Sequence, residues 1–277
     1  MKPLDFDLLS RPDYANADLA ESALLIAAEE YPGLSVKAEL ARVEAHCRAV
    51  TEQTPPEASP EERARILSDY LYRQVGFAGN RDDYNDPRNS FLNDVMDRRL
   101  GLPITLSVLH VAIGQRLGLD FRGISFPGHF IIRFRTGDRV QIIDPFEGGR
   151  ILEQKELIKR AGPLVQDAKK PGEALNYWLS PADTPTIVVR MLRNLKASFL
   201  RLEKYEKAIR CIDTLLRVSP QEVEEIRDRG LVYERLECHR AAAEDYGRYL
   251  AMSPDAEDAD QVHQRFLQAR SQAARLH

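Results

Sequence analysis

The fold is decided by residues Asp86–Arg150, which have the sequence DPRNSFLNDVMDRRLGLPITLSVLHVAIGQRLGLDFRGISFPGHFIIRFRTGDRVQIIDPFEGGR. The first half has the apolar spacing of two helices, and the second half has the alternation typical of strands. Within ISFPGHFIIRF, apolar and polar side chains alternate, with Phe130, Ile132 and Phe134 against His129, Arg133 and Arg135. This is the pattern of a half-buried strand. The segment therefore predicts helices followed by a small antiparallel sheet.

A two-residue turn at Gly137-Asp138 fits a hairpin between this strand and the next, which ends in VQIID. That turn makes Ile131 face Asp144, so that His129 and Asp144 lie diagonally on one face of the sheet, where side chains can touch. A carboxylate beside an imidazole fixes the tautomer of the ring and stabilises its charged form. The register thus predicts that His129 and Asp144 form the orienting half of a nucleophile–base–orienter triad.

The phrases PRNSFLNDVMDRRLGLPITLSVL, FPGHFIIRF and IDPFEGG are similar to the SirB1 family, bacterial proteins that join a transglutaminase-like cysteine peptidase core to tetratricopeptide repeats. In active members of the wider superfamily, a cysteine opens the helix before the strands, and the His and Asp complete the triad. The resemblance implies that His129 and Asp144 are a triad remnant. It places the cysteine near Pro103, between Leu102 and Thr105, and no cysteine is there.

Two hydroxyls lie near the start of the apolar helix from Pro103 to Leu117, on Thr105 and Ser107. One interpretation is that either hydroxyl replaces the thiol as the nucleophile. The other is that both are helix caps or satisfied core hydroxyls. A cysteine thiol is partly ionised near neutral pH, whereas a hydroxyl needs a well-placed general base. Loss of the cysteine therefore favours an inactive site.

Further candidate binding residues come from the polar loop at residues 77–90 and from the helix predicted to begin at Pro87. Asn89 and Asn93 are expected on one face of that helix, with Asp86 and Arg88 close by. These side chains either tie the loop down or line a cleft that faces His129.

Arginines on the predicted sheet are a second set of candidates. Arg133 shares the His129 face and could bind a carboxylate or phosphate together with Arg135 and Arg150. The alternative is that these arginines are solvated side chains of an exposed strand.

Composition excludes several classes of function. The chain has 277 residues, is 43% hydrophobic and 30% charged, and carries a net charge of −4, so no nucleic-acid partner is expected. No apolar run reaches the roughly 18 residues of a membrane span, and the N-terminus lacks the apolar core of a signal peptide. We predict a cytoplasmic protein without a membrane partner. Cys47, Cys211 and Cys238 have no metal-ligand spacing, so neither a metal nor another cofactor is expected.

Three helices are predicted before the central segment. They run from Asp18 to Tyr31, from Ser35 to Glu52, and from a Ser59 cap to about Val75. With the core they form a first domain at residues 1–162. Residues 163–183 are rich in Pro and Gly and predict a linker.

The C-terminal part, residues 184–277, contains a repeat. Leu202, Tyr205, Ala208 and Pro220 are matched 34 residues later by Leu236, His239, Ala242 and Pro254. This period is typical of tetratricopeptide repeats. A final helix from Gln261 to Leu276 is the expected cap.

The predicted fold class is therefore α+β and mostly helical, with a transglutaminase-like, papain-like core followed by a tetratricopeptide-repeat module. The favoured function is a non-catalytic module or regulator that binds a protein or peptide through its cleft and its repeat face. The alternative is an acyl-transfer enzyme, a peptidase, amidase or transglutaminase, that uses His129 and Asp144 with a non-cysteine nucleophile.

Overall fold

A computed structural model of the protein describes residues 4–166, 168 and 171–275. The chain divides into two compact units. The first contains Pro12–Met191, and the second contains Phe6–Arg11 and the chain from Leu192 onward. In the part of the chain that is described, no helix has the length and apolarity to cross a membrane.

The helices follow one another along both units. In chain order they are α1 Phe6–Leu9, α2 Leu19–Glu30, α3 Val36–Glu52, α4 Pro60–Asp69, α5 Leu92–Arg98, α6 Pro103–Arg116, α7 Gln154–Ala161, α8 Pro163–Gln166, α9 Pro171–Trp178, α10 Thr184–Arg201, α11 Tyr205–Val218, α12 Val223–Arg235, α13 His239–Met252 and α14 Ala259–Arg275. Short 3-10 turns lie at Pro12–Tyr14, Pro87–Asn89 and Pro145–Glu147, and a π-helical turn at Tyr70–Gln74 continues α4.

The three predicted N-terminal helices are confirmed, and their starts have the expected caps. Side chains of Asp18, Ser35 and Ser59 each accept a hydrogen bond from a backbone N–H in the first turn. Helix α6 lies in the core, and every residue from Pro103 to Gly114 is buried. A helix that is buried on all sides fixes the position of whatever its first turn carries.

Within the described residues, six strands form two sheets. They are β1 Ala78–Gly79, β2 Leu100–Gly101, β3 Asp120–Ile124, β4 Ile131–Thr136, β5 Arg139–Asp144 and β6 Arg150–Ile151. The short strands β1 and β2 pair in parallel, whereas β3, β4, β5 and β6 pair in that order as an antiparallel sheet. The predicted α+β fold class, mostly helical with a small antiparallel sheet, is confirmed.

The predicted alternation along the strand after His129 holds from Ile132 to Arg135, where Ile132 and Phe134 are buried and the two arginines are more exposed, but it fails at Ile131. Ile131 and Ile132 are both fully buried although they point to opposite faces of β4. The face that carries Ile131 is covered by Leu157 of α7, Val165 of α8 and Leu175 of α9. Charged residues alternate along the strand only where this cover ends.

The helices that cover this face of the sheet include part of residues 163–183, which we expected to be a linker. Within the described residues, this stretch contains α8 and α9, and Trp178 packs against the cluster of Val165 and Leu175. Pro163 and Pro171 are here the first residues of short helices that pack on the sheet. The division between the two units falls later, inside α10 after Met191.

The second unit repeats its geometry with the predicted period. Glu203 and Glu237 are 34 residues apart and have left-handed backbone conformations, with φ angles of 55° and 56°, at equivalent turns between helices. Ala208 and Ala242 are fully buried at equivalent positions in α11 and α13. The tetratricopeptide-type repeat is therefore confirmed. Helix α14 ends the described part of this unit, while the predicted helix end at Leu276 lies outside the described residues.

Candidate functional site

The candidate site is built on the hairpin of β4 and β5. The turn at Gly137-Asp138 pairs Thr136 with Arg139, as predicted, and the φ angle of Gly137 is 54°. This register brings the His129 ring to Asp144, with 2.9 Å between Nε2 and Oδ2. The predicted contact of the two side chains is confirmed.

The Asp144 carboxylate is fully buried and has three hydrogen-bond donors. Its Oδ1 accepts from the backbone N–H of Phe146 at 3.0 Å. Its Oδ2 accepts from His129 and from Nη1 of Arg160 at 2.8 Å. Burial by itself would raise the pKa of this carboxyl, but hydrogen bonds and charge from His129 and Arg160 outweigh burial and hold the pKa below its ordinary value. Asp144 is therefore a carboxylate at neutral pH.

Arg160 is a partner of this site that the sequence did not reveal. It lies in the last turn of α7, and its Nη2 also donates to Glu147 and Glu156. No spacing pattern predicts this contact, because it depends on how α7 packs on the sheet. Oδ2 of Asp144 is therefore shared between the His129 ring and a permanent cation.

Neither candidate nucleophile forms a hydrogen bond to His129. The Ser107 hydroxyl donates to the backbone oxygen of Pro103 at 2.7 Å, which is the bond of a satisfied core hydroxyl. The Thr105 hydroxyl is fully buried, and it has no hydrogen-bond partner among the residues that the structure describes. The structure thus joins His129 to Asp144 but joins no hydroxyl to the pair.

Cys47 has the properties of an inert thiol. It is buried in α3, and its sulfur lies 4.0 Å from the backbone oxygen of Ile113 in α6. Burial raises the pKa of the thiol to about 11, and the Glu44 charge adds to the effect. The thiolate is the reactive form, so Cys47 is a poor nucleophile. Cys211 and Cys238 belong to the second unit.

The predicted helix from Pro87 through Asn93 was wrong. The chain forms a 3-10 turn at Pro87–Asn89 and starts α5 only at Leu92, so Asn89 and Asn93 are not on one helix face. The Asn89 side chain is the physical reason, since its amide donates to the backbone oxygens of Asp83 and Tyr84. Side chains that bind nearby backbone groups favour turns over helix.

The other candidate residues of this loop divide into two groups. Asp86 is buried and paired with Arg88 and Arg98, so it holds the loop together. Asn93 is also buried, but its Oδ1 has no partner among the described residues. On the sheet, Arg133 is partly buried, and its Nε likewise has no partner within the described part of the chain.

Several aromatic and cationic side chains that the sequence did not single out lie near His129. The ring of Phe146 meets the His129 ring edge-on, with centroids 6.2 Å apart, and Tyr84 meets Phe146 at 6.0 Å. The Arg81 guanidinium lies over Phe146 at 5.1 Å. Gly79 makes room for this ring, because a Cβ there would lie 2.4 Å from Phe146.

Among the residues that the structure describes, no group of three or more His, Cys, Asp or Glu side chains could hold a metal ion. The acidic groups near His129 are joined to Arg160 as ion pairs, namely Asp144, Glu147 and Glu156.

Comparison with known proteins assigns families to both parts of the chain. A family model described as transglutaminase-like superfamily matches residues 36–193. A second model, described as tetratricopeptide repeat, matches residues 195–266.

Individual relatives match along most of their length. The UPF0162 protein of Xylella fastidiosa (strain Temecula1) is 36% identical over 269 residues, which cover 97% of this chain and 96% of the relative. Protein SirB1 of Salmonella typhimurium is 27% identical, covering 88% of this chain and 89% of the relative. The UPF0162 protein YchA of Escherichia coli K12 is also 27% identical, with the same coverage of 88% and 89%.

Among solved structures, the chain is similar to menin at a TM-score of 0.40 and 11% identity, over 94% of this chain and 73% of that one. A similarity this low carries no argument about fold or function.

Proposed function

The chain belongs to the SirB1 and UPF0162 family of transglutaminase-like proteins, and from this premise we propose that it is a non-catalytic module that binds a protein or peptide. The observation that carries the proposal is the state of the His129–Asp144 pair. The pair is assembled, yet no hydroxyl in the first turns of α6 is hydrogen-bonded to it. Nucleophilic catalysis needs a nucleophile within hydrogen-bond reach of its base.

The charge balance at Asp144 supports the same proposal. A general base gains strength when a carboxylate stabilises its protonated form. Here the carboxylate oxygen that contacts His129 is also bonded to Arg160. A carboxylate shared in this way holds the imidazole in one orientation, in which the ring can contact a ligand.

The second unit supports a protein or peptide as the partner. Tetratricopeptide repeats generally mediate protein interactions, and the small residues Ala208 and Ala242 let paired helices approach closely. The acidic side chains buried in this unit are already paired, as Glu225 is with Lys196 and Asp245 with Arg229. A partner would therefore use exposed groups of the repeat face.

The remaining parts of the proposal follow from composition. With a net charge of −4 and no basic block, the protein is proposed to bind neither nucleic acid nor a membrane surface, and to act in the cytoplasm without a cofactor. Its role would be that of a binding protein or regulator.

We expect the protein to hydrolyse no peptide ester or amide through this site. The measurement is the rate of hydrolysis of a peptide ester library by the wild type and by His129→Ala. Because no nucleophile is joined to the base, both rates should equal the background without protein. A rate above background that disappears in His129→Ala would reverse the proposal.

One observation favours the alternative, an acyl-transfer enzyme. The Thr105 hydroxyl is buried without a partner among the described residues, so it is not committed to a structural bond as Ser107 is. If Thr105 were the nucleophile, Thr105→Val would abolish turnover while Ser107→Ala would not.

A further inference from the structure

Arg190 is a largely buried cation that has no acidic partner within the part of the chain that the structure describes. It lies on α10, and its guanidinium donates to the Ser125 hydroxyl at 2.6 Å and to the backbone oxygen of Phe126 at 3.1 Å. It also donates to the backbone oxygen of His129 at 2.7 Å. Burial lowers the pKa of Arg190, while its interaction with Tyr84 opposes this shift. The guanidinium also stacks on the Phe130 ring at 5.4 Å. A buried charge held by neutral oxygens and an aromatic ring is costly unless an anion completes it.

The guanidinium of Arg190 has N–H groups to spare. An arginine has five N–H donors. Its Nη1 binds Ser125 and Phe126, and its Nη2 binds His129. One N–H on Nη2 and the N–H on Nε are thus left without an acceptor among the described residues. These donors lie beside the backbone of the residue that carries the candidate imidazole.

A second arginine without an acidic partner among the described residues lies over Phe146, the ring that contacts the imidazole. Arg81 stacks on Phe146, which contacts the His129 ring. It forms no ion pair with any described residue, although Asp82 and Asp83 follow it directly in the chain. Tyr84, which is 47% exposed, packs against Phe146 and interacts with Arg190. Two arginines without an acidic partner among the described residues and two aromatic rings thus lie close to one histidine.

The histidine itself adds a hydrogen-bond acceptor. Because the Asp144 carboxylate can only accept, Nε2 of His129 must carry the proton of this bond. In the neutral ring, Nδ1 is then an acceptor. The site therefore offers donors for an anion together with an acceptor for an N–H group.

We propose that Arg81, Tyr84, His129, Phe146 and Arg190 form a surface that binds the free C-terminal residue of a peptide. The terminal carboxylate would bind the two arginines, the last amide N–H would donate to Nδ1 of His129, and the last side chain would stack on Tyr84 and Phe146. A C-terminal residue carries its carboxylate and its amide N–H on the same Cα. The carboxylate matches the arginine donors, and the N–H matches the acceptor Nδ1 of His129. An acidic side chain has no N–H at that spacing. The inference rests on the proposed binding function and names its partner.

The test is a titration followed by NMR of the His129 imidazole, with its signal assigned by its absence in His129→Gln. The probes are N-acetyl-phenylalanine, its amide, and N-acetyl-glutamyl-phenylalaninamide, which has only a side-chain carboxylate. We expect the free acid to shift the signal with a dissociation constant on the order of 1 mM, as suits a ligand of this size. Both amides should bind at least about tenfold more weakly.

Matched variants distinguish binding at this site from a general effect of positive charge on the affinity. Arg81→Ala should weaken binding of the free acid about tenfold, because it removes a charge-assisted contact to the carboxylate. It breaks no ion pair with a described residue of the folded protein. Arg139→Ala removes the same charge from an exposed position of the same sheet and should change binding less than about twofold. Arg190→Lys, accepted only if its Trp178 fluorescence matches the wild type, should weaken binding at least as much as Arg81→Ala.

Several results would overturn the inference. Equal binding of the free acid and its amide, or no shift of the imidazole signal with any probe, would contradict the proposed carboxylate site. Equal binding of the glutamyl probe would remove the preference for a C-terminus. None of these results bears on turnover, so they are distinguishable from failure of the proposed non-catalytic function, which the ester assay measures.

Discussion

Replacing Asp144 by asparagine is expected to lower the free energy of unfolding by about 3 kcal/mol at pH 7. The carboxylate is fully buried, and it accepts hydrogen bonds from His129, Arg160 and the Phe146 backbone. Breaking a buried pair by removing one partner costs about 3–5 kcal/mol. The lower end applies because Arg160 keeps Glu147 and Glu156 as partners.

The pH dependence of this effect has a definite sign. Since the pKa of Asp144 is lowered in the folded protein, its contribution is present above the unfolded pKa and is lost as the pH falls through the folded pKa. The difference between wild type and Asp144→Asn should therefore shrink below about pH 4.

Urea unfolding followed by the fluorescence of Trp178 measures this difference. Trp178 is the only tryptophan, and it packs on the cluster that contains Ile131 and Ile142 of the same sheet. Asp120→Asn is the matched control, because Asp120 pairs with Arg122 on the sheet but is about half exposed, and it should cost less than about 1 kcal/mol. A cost of the same small size for Asp144→Asn would contradict the role of the carboxylate.

The second large effect is a loss of stability below neutral pH that originates at His110. This ring is fully buried in α6, with Nδ1 bonded to the Tyr72 hydroxyl at 2.8 Å and with Nε2 unpartnered among the described residues. Burial lowers the pKa of His110 to about 3. The unfolded chain, with an ordinary pKa of about 6.5, therefore binds more protons below neutrality. Stability contributed by the neutral ring is present above pH 6.5 and falls as the pH drops.

Between pH 7.5 and pH 5, we expect His110 alone to account for a loss of about 2 kcal/mol. The measurement is urea unfolding at a series of pH values for wild type and His110→Phe, which should lack this part of the slope. Tyr72→Phe is the control, because it removes the hydroxyl partner and leaves the buried imidazole in place. If His110→Phe kept the full slope, the titrating group would lie elsewhere.

Much of the site could be predicted because it depends on local pattern. Alternation along β4 and a glycine turn fix a register, and that register alone brings His129 to Asp144. The repeat followed likewise from a 34-residue period, which returns in the left-handed turns at Glu203 and Glu237.

The parts that escaped prediction depend on contacts between distant segments. Arg160 and Arg190 reach the hairpin from α7 and α10, and nothing in their local sequence indicates which neighbour they meet. Asn89 was misplaced on a helix because its side chain prefers backbone oxygens of its own loop. Local propensity could not show that competition.

The central claim is that the His129–Asp144 site has no nucleophile and therefore binds a ligand without reacting with it. Its most direct test is the intact mass of the protein after incubation with acyl-donor ester probes, with any adduct mapped by peptide mass spectrometry. We predict no adduct on Thr105 or Ser107, and the same increase in mass on incubation for wild type and for His129→Ala. Adducts at the exposed Cys238 should be the same in both proteins. An acyl group on Thr105 or Ser107 that is absent from His129→Ala would contradict the account.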